Sequence, residues 1–583
     1  MTEEVQFPVR SVAECDAILT APGAKFEIET VCIRGVDTPV YKHAPPTMRH
    51  ILETSRTFGD REYFVFQDER ASFNAHFRAA ANLAKALRER FGVEKGDRVA
   101  IAARNFPQWF PSFFGAMAAG AIVTPLNSWW TAEELEYGLT DSGAKVAIID
   151  PERLELLRPL FDKMPDLKHV IVMRGGEGDP DPRVTGLETL IGPVNSWKAL
   201  DDIDLPAIDI GPEDDATILY TSGTTGKPKG AVATQRATVT NLFHSVACQA
   251  RSFLRRGEAP PVHDPVGPIQ RVTLLAIPLF HATGCYASML AALMRGDKIV
   301  TMYRWNPLEA LQVIEREKVT TFGGVPAIAW QVLEHPERDN YDLSSIQFVA
   351  YGGAPSAPEL VSTIKRRFSE ATVSNGWGMT ETCATATLNV GADYELRPES
   401  AGAGGPASRM KIIDANGQAL PPGGVGELWY FGANNCREYW NKPEATAKTF
   451  VDGWVVTGDI ARLDDEGFLF LLDRAKDMLI RGGENIYCIE VESALYDHPA
   501  IMDAAVVGIP HKVLGEEVGA VVQRKPNAEV TEDDLRGFVA ERLAAFKVPV
   551  QIHFQDEPLP RNANGKIMKP ELRDRFKGGD KGD

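Results

Sequence analysis

The stretch YTSGTTGKPKG occupies residues 220–230 and directly follows the apolar segment ATIL at 216–219. Its three glycines remove side chains, so that backbone N–H groups can converge on a bound anion. Four Ser and Thr hydroxyls add hydrogen-bond donors, and Lys227 and Lys229 add positive charge. This pattern predicts a phosphate-binding loop at the end of a buried strand. The predicted phosphate contacts are Thr221, Ser222, Gly223, Thr224, Thr225, Gly226 and Lys227.

The loop differs from other common catalytic motifs. The P-loop of kinases requires G-x-x-x-x-G-K-[ST], whereas here Gly223 and Gly226 are too close together and Pro228 follows Lys227. The chain also lacks a strand followed by G-x-G-x-x-G, a G-x-S-x-G elbow and an H-E-x-x-H helix. Phosphoryl-transfer kinases, dinucleotide-dependent dehydrogenases, serine hydrolases and zinc proteases are therefore disfavoured.

Strand and helix patterns alternate on both sides of the loop. Apolar runs at 97–103, 145–150, 299–302 and 348–353 predict buried strands, and residues 78–91 and 307–317 have helical spacing. Thr131-Ala-Glu-Glu134 has the form of a helix capping box. The alternation predicts parallel sheets covered by helices. After about residue 400 short strands with Gly and Pro turns follow, and a strand-and-helix unit begins near 475.

Charge and composition limit the partners that the protein can bind. The chain has 62 Lys and Arg against 80 Asp and Glu, a net charge of −18, which disfavours nucleic acids and anionic membranes. The positive charge is concentrated in two stretches of the chain. Residues 216–257 contain six basic and no acidic residues, and residues 561–577 contain six basic and two acidic residues. These two stretches are suited to small polyanions.

The cysteines and the apolar segments predict a cytoplasmic protein without a membrane span. The seven cysteines form no C-x-x-C pair, which fits a reducing compartment, and the N-terminus begins acidic without an apolar leader. Residues 106–131 carry no charge, but three prolines interrupt them. We therefore predict a buried helix and a buried strand there instead of a membrane helix.

Six further motifs follow the loop in a recognisable order. They are PLFHATG at 278–284, YGGAP at 351–355, NGWGMTET at 375–382, DGWVVTGD at 452–459, DRAKDMLIRGGENI at 473–486 and PRNANGKI at 560–567. Together with YTSGTTGKPKG they resemble the adenylate-forming superfamily, which comprises acyl-CoA synthetases, adenylation domains of peptide synthetases, and luciferases. The resemblance extends over nearly the whole chain.

The resemblance implies a two-step reaction that uses ATP, Mg²⁺ and coenzyme A. A carboxylate attacks the α-phosphorus of Mg·ATP, which yields acyl-AMP and pyrophosphate, and a thiol then displaces AMP. Lys566 occupies the position of the family's catalytic lysine, which bridges the carboxylate and the α-phosphate. The resemblance implies that Glu381 holds Mg²⁺ and that Thr380 donates to the α-phosphate. His281 would line the acyl pocket, either as its gate or as a packed histidine.

The remaining nucleotide contacts are carried over from the same motifs. Asp459 would accept both ribose hydroxyls, and Arg474 would donate to the ribose. Trp377 replaces the family's usual Tyr beside the adenine, which keeps a stacking face but loses a phenolic hydroxyl. Small residues would let the backbone approach the base, namely Gly353, Ala354, Pro355, Gly376 and Gly378. We interpret Cys488, at a position where the family usually has Pro, as a packed thiol.

The resemblance also implies the domain organisation. An α/β N-terminal domain, residues 1–474, would contain stacked mixed and parallel sheets with covering helices and a small β-barrel-like subdomain. A small mobile α+β domain, residues 475–583, would rotate about a hinge near Lys476 between the two steps. Gly483 would then line the channel for the CoA thiol arm. Residues 1–45 precede the family's usual start, and 25–35 predict an edge hairpin that is a candidate contact in a homodimer.

The resemblance implies that residues around His281 and Gly353 line the acyl pocket, and because many of them are small, we expect a roomy apolar pocket without a fixed charge. This favours a medium- or long-chain fatty acid or an aryl-substituted monocarboxylic acid. Two alternatives remain at this point: an acyl-AMP ligase that loads a separate carrier protein, and a nucleotide-binding protein without catalysis.

Replacing Gly483 tests the predicted thiol channel. A leucine side chain in Gly483→Leu should obstruct the channel and lower thioester formation by about a hundredfold, while acyl-AMP formation is retained. Pyrophosphate release and thioester yield, measured separately on one preparation, check this. Unimpaired thioester formation would remove Gly483 from the channel.

Overall fold

The computed structural model of the chain describes residues 7–221, 227–262, 264, 267–353, 358–475, 477–482, 484–525, 528–562 and 565–576. These residues contain an eight-stranded sheet, a fourteen-stranded sheet, a five-stranded sheet near the C-terminus and a separate two-stranded hairpin near the N-terminus. Helices cover and separate the large sheets. The predicted α/β class is confirmed.

The strand before the predicted phosphate loop, Asp215–Tyr220, lies in the eight-stranded sheet. It pairs in parallel with Ile122–Pro125 and antiparallel with Gly230–Thr234, so the loop joins two neighbouring strands. In spatial order this sheet consists of Glu438–Tyr439, Gly230–Thr234, Asp215–Tyr220, Ile122–Pro125, Arg98–Ala102, Ala144–Ile149, His169–Val172 and Val184–Gly186.

The fourteen-stranded sheet is parallel at its centre and antiparallel toward the end that carries Ser408–Ile413. Its spatial order is Ser408–Ile413, Gly426–Gly432, Trp454–Leu463, Phe468–Arg474, Gly402–Gly404, Thr387–Val390, Thr372–Gly376, Phe348–Gly352, Thr321–Gly324, Val272–Leu275, Lys298–Thr301, Glu62–Phe66 and Glu69–Ser72, with Phe450–Val451 beside Trp454–Leu463. The antiparallel strands, where we predicted a barrel-like subdomain, continue this open sheet and do not close on themselves.

Two helices, Phe73–Glu89 and Trp109–Ala118, join the two large sheets into one core. Phe77 and Phe113 from these helices are buried with Phe64 of one sheet and Ile101 of the other. Each such side chain stabilises the fold by about 1.5–3 kcal/mol.

The other α-helices are Val12–Leu19, Met48–Thr54, Ala132–Ser142, Pro151–Leu157, Glu188–Ile191, Gln235–Arg255, Ala291–Arg295, Pro307–Glu317, Pro326–Leu333, Pro358–Arg367, Ala392–Leu396, Pro443–Thr449, Cys488–Tyr496, Glu532–Ala540 and Lys569–Arg573.

The local sequence signals produce the predicted elements. Thr131 caps the helix Ala132–Ser142 through a reciprocal capping box with Glu134. The helix Pro307–Glu317 has the predicted bounds, because Asn306 caps its start and Lys318 follows its end in a left-handed conformation. Residues 106–131 form a buried helix and a buried strand, as predicted. No helix in the described part of the chain is long and apolar enough to cross a bilayer.

The five-stranded sheet lies toward the C-terminus. It consists of Glu484–Ile486, Leu479–Arg481, Gly515–Arg524, Ile501–His511 and Gln551–Gln555. The strand Phe468–Arg474 of the fourteen-stranded sheet contacts this C-terminal part through Asp473, whose Oδ2 accepts a hydrogen bond from the backbone N–H of Cys488. Burial raises the pKa of Asp473 to about 6. The Cys488 side chain is fully buried, and its Sγ lies 3.1 Å from the carbonyl oxygen of Asp477, which agrees with a packed thiol.

The N-terminal hairpin is a two-stranded sheet of its own, formed by Ile28–Ile33 and Val36–Tyr41. Arg34 and Gly35 both have positive φ, as the two-residue turn requires. The edge position predicted for residues 25–35 is therefore wrong, because these strands pair only with each other within the described residues. The hairpin and the helix Val12–Leu19 pack on the helix Gln235–Arg255, where Asp16 pairs with the buried Arg251 at 2.7 Å.

Candidate functional site

A cavity of about 600 Å³ lies against the central parallel strands of the fourteen-stranded sheet. Gly352 and Gly376, the last residues of neighbouring strands, line one end of it. Ligand sites in open α/β sheets are commonly found at such carboxyl ends. Thr273, Leu274 and Leu275 of the strand Val272–Leu275 also line it, as do Arg271 before the strand and Ile277 after it. The cavity therefore extends past both ends of a strand that is about 13 Å long at 3.3 Å per residue.

Glycines are required where the cavity wall is formed by backbone. A Cβ atom on Gly352 would lie 2.5 Å from the carbonyl oxygen of Gly376. A Cβ atom on Gly378 would lie 1.4 Å from the carbonyl oxygen of Ala384, closer than any side chain allows. Gly353 follows with φ of +74° and is exposed. The strand ends are therefore packed against neighbouring backbone and leave one face open to a ligand.

A buried carboxylate, Asp459, lies beside this end of the cavity. Its Oδ2 accepts a hydrogen bond from the indole N–H of Trp377 at 2.8 Å, and its Oδ1 lies 3.1 Å from Nε of Arg474. Asp459 and Arg474 are directly opposite each other on paired antiparallel strands. Both carboxylate oxygens thus have a protein donor, and both donors line the cavity. The indole N–H contact was not predicted from the sequence.

The second carboxylate, Glu381, lies in the 3₁₀ turn Thr380–Thr382 and is 7% exposed. The phenol of Tyr439 donates to its Oε1. Burial, together with the Glu381 charge, raises the pKa of Tyr439, so that the phenol keeps the proton it donates. Nζ of Lys229 lies 4.6 Å from the centre of the Tyr439 ring, which places a cation close to the same carboxylate.

The ends of the phosphate loop are joined by a hydrogen bond from the backbone N–H of Thr221 to the carbonyl oxygen of Lys229 at 2.8 Å. Thr221 and Lys229 line the cavity, whereas Nζ of Lys227 lies over the ring of Tyr137 at 4.8 Å. Of the two lysines of this loop, Lys229 is thus the one that lines the cavity, and the phosphate contact of Lys227 stays a prediction. The other predicted loop contacts, Ser222, Gly223, Thr224, Thr225 and Gly226, lie outside the described residues.

Lys566 reaches the same cavity from the C-terminal segment. Its loop is closed by a hydrogen bond from the backbone N–H of Asn562 to the carbonyl oxygen of Lys566 at 2.9 Å, and Arg561 donates to the carbonyl oxygen of Gly565 at 2.6 Å. Gly565, with φ of +74°, packs against Val325 so closely that a Cβ atom would lie 2.9 Å from a Val325 methyl group.

His281 lines the cavity with Lys566. Burial lowers the pKa of His281 to about 3, and the positive charge of Lys566 contributes to this shift. The imidazole is therefore neutral near pH 7, and its Nδ1 lies 3.3 Å from the backbone N–H of Thr283. A neutral ring can accept or donate a hydrogen bond but adds no charge to this part of the cavity.

The far end of the cavity carries charges that we did not predict from the sequence. Arg271, Arg295 and Asp297 line it. Arg295 pairs with Asp297 at 2.6 Å, whereas the side chain of Arg271 is exposed. The expectation of a pocket without a fixed charge is therefore wrong for this end. No motif marks Arg271, which simply precedes a buried strand.

The described residues bring most of the predicted site together. The residues that line this one cavity together are Thr221, His281, Gly353, Gly376, Trp377, Gly378, Thr380, Glu381, Arg474 and Lys566. Asp459 contacts two of them. Ala354, Pro355, Lys476 and Gly483 lie outside the described residues.

Comparison with known proteins agrees with this arrangement. A family model described as AMP-binding enzyme matches residues 51–440, and one described as AMP-binding enzyme C-terminal domain matches residues 490–566. A feruloyl-CoA synthase from Amycolatopsis sp is 34% identical over 499 residues, which cover 86% of this chain and 92% of that protein. A long-chain-fatty-acid–CoA ligase from Mycobacterium tuberculosis is 34% identical over 507 residues, with coverage of 86% and 92%.

A solved structure has the same fold over almost the whole chain. It is an anthranilate CoA ligase in complex with anthranoyl-AMP, with a TM-score of 0.79 and 25% sequence identity. The alignment covers 91% of this chain and 97% of that chain.

Proposed function

Because the chain belongs to the AMP-binding enzyme family and is an AMP-forming acid–CoA ligase, we propose that it activates a medium- or long-chain fatty acid or an aryl-substituted monocarboxylic acid with ATP. The acyl group is then transferred to coenzyme A. The observation that carries this proposal is the 600 Å³ cavity, in which Lys566, Thr380 and Glu381 face a cleft long enough for an extended acyl chain.

In the first step a carboxylate oxygen of the acid attacks the α-phosphorus of ATP. The bond from that phosphorus to the bridging oxygen breaks, and pyrophosphate leaves with the electron pair. Catalysis of this kind depends on positioning and on stabilisation of the negative charge. Lys566 donates to both the carboxylate and the α-phosphate, and Thr380 donates to the α-phosphate. Lys229 adds positive charge beside them, which the proximity of its Nζ to Tyr439 supports.

Glu381 is the proposed ligand for Mg²⁺. No group of three or more His, Cys, Asp or Glu side chains suited to a metal occurs among the described residues. One buried carboxylate fits the way Mg²⁺ is often held, by one or two carboxylates together with substrate phosphates and water. When bound, Mg²⁺ neutralises phosphate charge. Tyr439 orients the carboxylate by donating to its Oε1.

Asp459 and Arg474 hold the ribose in this proposal, and Trp377 lies beside the adenine. The indole N–H and the guanidinium hold the carboxylate of Asp459 in one orientation, which leaves a lone pair on each oxygen for a ribose hydroxyl. The backbone of Gly353, Gly376 and Gly378 lies against the base. Close packing of Gly376 and Gly378 on neighbouring backbone, and the open space beside Gly353, support this arrangement.

The second step requires a different arrangement of the C-terminal segment. We propose domains at 1–474 and 475–583 with a hinge near Lys476. Rotation would separate Gly565 from Val325 and Asp473 from Cys488, withdraw Lys566 and bring Gly483 to the thiol of CoA. The thiol sulfur then attacks the acyl carbon, its proton is lost, and AMP leaves.

The residues that line the cavity also limit which class of carboxylic acid can bind. The apolar residues Ile277, Leu275 and Phe322 line its middle, and neutral His281 adds no charge there. Arg271 at the far end favours a second candidate class, acids with a polar or anionic group remote from the reacting carboxylate. Loading of a separate carrier protein is the alternative to CoA as acceptor.

Substituting Lys566 tests the separation of the two steps. Lys566→Ala should lower carboxylate-dependent pyrophosphate release by about 10² to 10³-fold, because one donor to the developing charge is lost. Thiolysis of supplied acyl-AMP should be largely unchanged. Lys512→Ala, which alters an exposed lysine on the same segment, is the control. An equal loss of rate in both half-reactions would contradict the assignment of Lys566 to acyl-AMP formation alone.

Substituting Trp377 tests the orientation of Asp459. In Trp377→Phe the carboxylate loses a donor, so the KM for ATP should rise about tenfold. The preference for ATP over 2′-deoxyATP should also become smaller, because a misoriented carboxylate gains less from the ribose hydroxyl. Trp197→Phe removes a buried indole that donates to Gly192 away from the cavity, and is the matched control. An unchanged ratio of kcat/KM for the two nucleotides would refute this role.

A pyrophosphate-release screen tests the proposed reaction and the class of its acid substrate together. The panel contains fatty acids, aryl-substituted acids and α,ω-dicarboxylic acids of matched length, each with and without CoA. We expect AMP and pyrophosphate as products, with an acyl-CoA only when CoA is present. ADP and phosphate would contradict the reaction class, and acyl-AMP without any CoA thioester would favour carrier loading.

A further inference from the structure

The turn that carries Thr380 and Glu381 is held through its three backbone carbonyl groups. Asn434 donates from Nδ2 to the carbonyl oxygen of Thr382 at 2.8 Å. The backbone N–H of Cys436 donates to the carbonyl oxygen of Glu381 at 2.8 Å, and its Sγ lies 3.3 Å from that of Thr380. The position of the turn therefore depends on the position of the segment 434–436.

Asn434 is itself held by buried side chains. Because its Nδ2 faces the Thr382 carbonyl, its Oδ1 faces the donors, namely the phenol of Tyr430 at 3.0 Å and Nε2 of His244 at 3.2 Å. Asn434, His244 and Tyr430 are all fully buried. A polar network at this burial fixes one geometry, because each unpaired group would be costly.

The network continues to the N-terminal hairpin. His244 donates from Nε2 to Asn434, so its Nδ1 is the acceptor for the hydroxyl of Tyr41, which lies 2.7 Å away. Burial lowers the pKa of His244 to about 4 and raises that of Tyr41, which agrees with a neutral ring and a protonated phenol. Tyr41 is 4% exposed and precedes residues 51–440, the part matched by the family model.

We propose that Tyr41, His244 and Asn434 form a relay of hydrogen bonds through which the N-terminal hairpin positions the turn Thr380–Thr382. Tyr41 is then a positioning residue for acyl-AMP formation, although its hydroxyl touches no substrate. This inference rests on the proposed function only for the roles of Thr380 and Glu381. The relay itself is defined by the contacts of buried residues.

The packing around the relay leaves its members little freedom. A Cβ atom on Gly405 would lie 2.2 Å from Nδ1 of His244, so the imidazole lies directly against backbone. The ring of Tyr41 packs edge-on against Phe26 at 6.1 Å and lies 5.7 Å from Phe243. In Tyr41→Phe this packing is retained and only the hydroxyl is removed, which leaves Nδ1 of His244 without its donor.

The first test compares Tyr41→Phe with Tyr63→Phe. Tyr63 is equally buried, and its hydroxyl donates to the carbonyl oxygen of Met289 at 3.2 Å, outside the relay. We expect similar decreases in Tm for both variants. Only Tyr41→Phe should lower kcat for pyrophosphate release, by about tenfold, and raise the Mg²⁺ concentration for half-maximal rate. Thiolysis of supplied acyl-AMP should be unchanged. Equal activity of the two variants would overturn the relay.

A double-mutant cycle tests the order of the contacts. In an Asn434→Ala background the connection to the turn is already lost, so Tyr41→Phe should reduce kcat by less than about twofold. A full additional tenfold loss would show that Tyr41 acts by another route and would refute the proposal.

Hydrogen exchange of the full-length protein gives a test that does not depend on activity. The N–H groups of Thr382 and Cys436 close the turn, and their exchange should be about tenfold faster in Tyr41→Phe than in Tyr63→Phe. Unchanged exchange would contradict the relay even if the enzyme acts on acids as proposed. Absence of pyrophosphate release from the wild-type protein, with the expected change in exchange, would refute the proposed function and leave the relay supported.

Discussion

Hydrogen bonds from Asn434 and Cys436 to the carbonyl groups of the turn Thr380–Thr382 constrain the rest of the site. The turn is too short to hold its own geometry, and it places Glu381 where only 7% of the residue is exposed. A carboxylate at this burial needs donors, because removing its water costs several kcal/mol. The arrangement of neighbouring strands that brings Tyr439 and Cys436 to the turn is therefore a condition for the site.

The need of a buried carboxylate for hydrogen-bond donors applies to Asp459 as well. Its carboxylate is 4% exposed and obtains its donors from Trp377 and from Arg474 on the paired strand. Both buried carboxylates lie at one cavity into which Lys566 and Lys229 also project. The net charge of −18 belongs to the chain as a whole, whereas the cavity that would bind an anionic nucleotide combines two buried carboxylates with nearby cations. A global charge count thus says little about a ligand bound by local groups.

Much of the site could be predicted from the sequence because its residues occur in short motifs. The segment 375–382 carries Trp377, Thr380 and Glu381 together, and each stands at the cavity. Other features of the site could not be read from a motif alone. Lys229 and Lys227 lie two positions apart in the same motif, and only the path of the chain decides which of them faces the cavity. Arg271 precedes a buried strand and Tyr41 ends a strand of the hairpin, and neither residue belongs to a motif.

The sequence by itself determined the alternation of helices and strands, the capped helix starts, the glycine-rich backbone of the cavity and the membership of the family. These features depend on residues close together in the chain, where periodicity, capping and steric rules operate. Only the tertiary structure decided that the antiparallel strands continue an open sheet, that the indole of Trp377 donates to Asp459, and that Tyr41 connects through His244 to Asn434. Those contacts join residues far apart in the chain, and their geometry is set by the packing of the two large sheets and the buried helices against them.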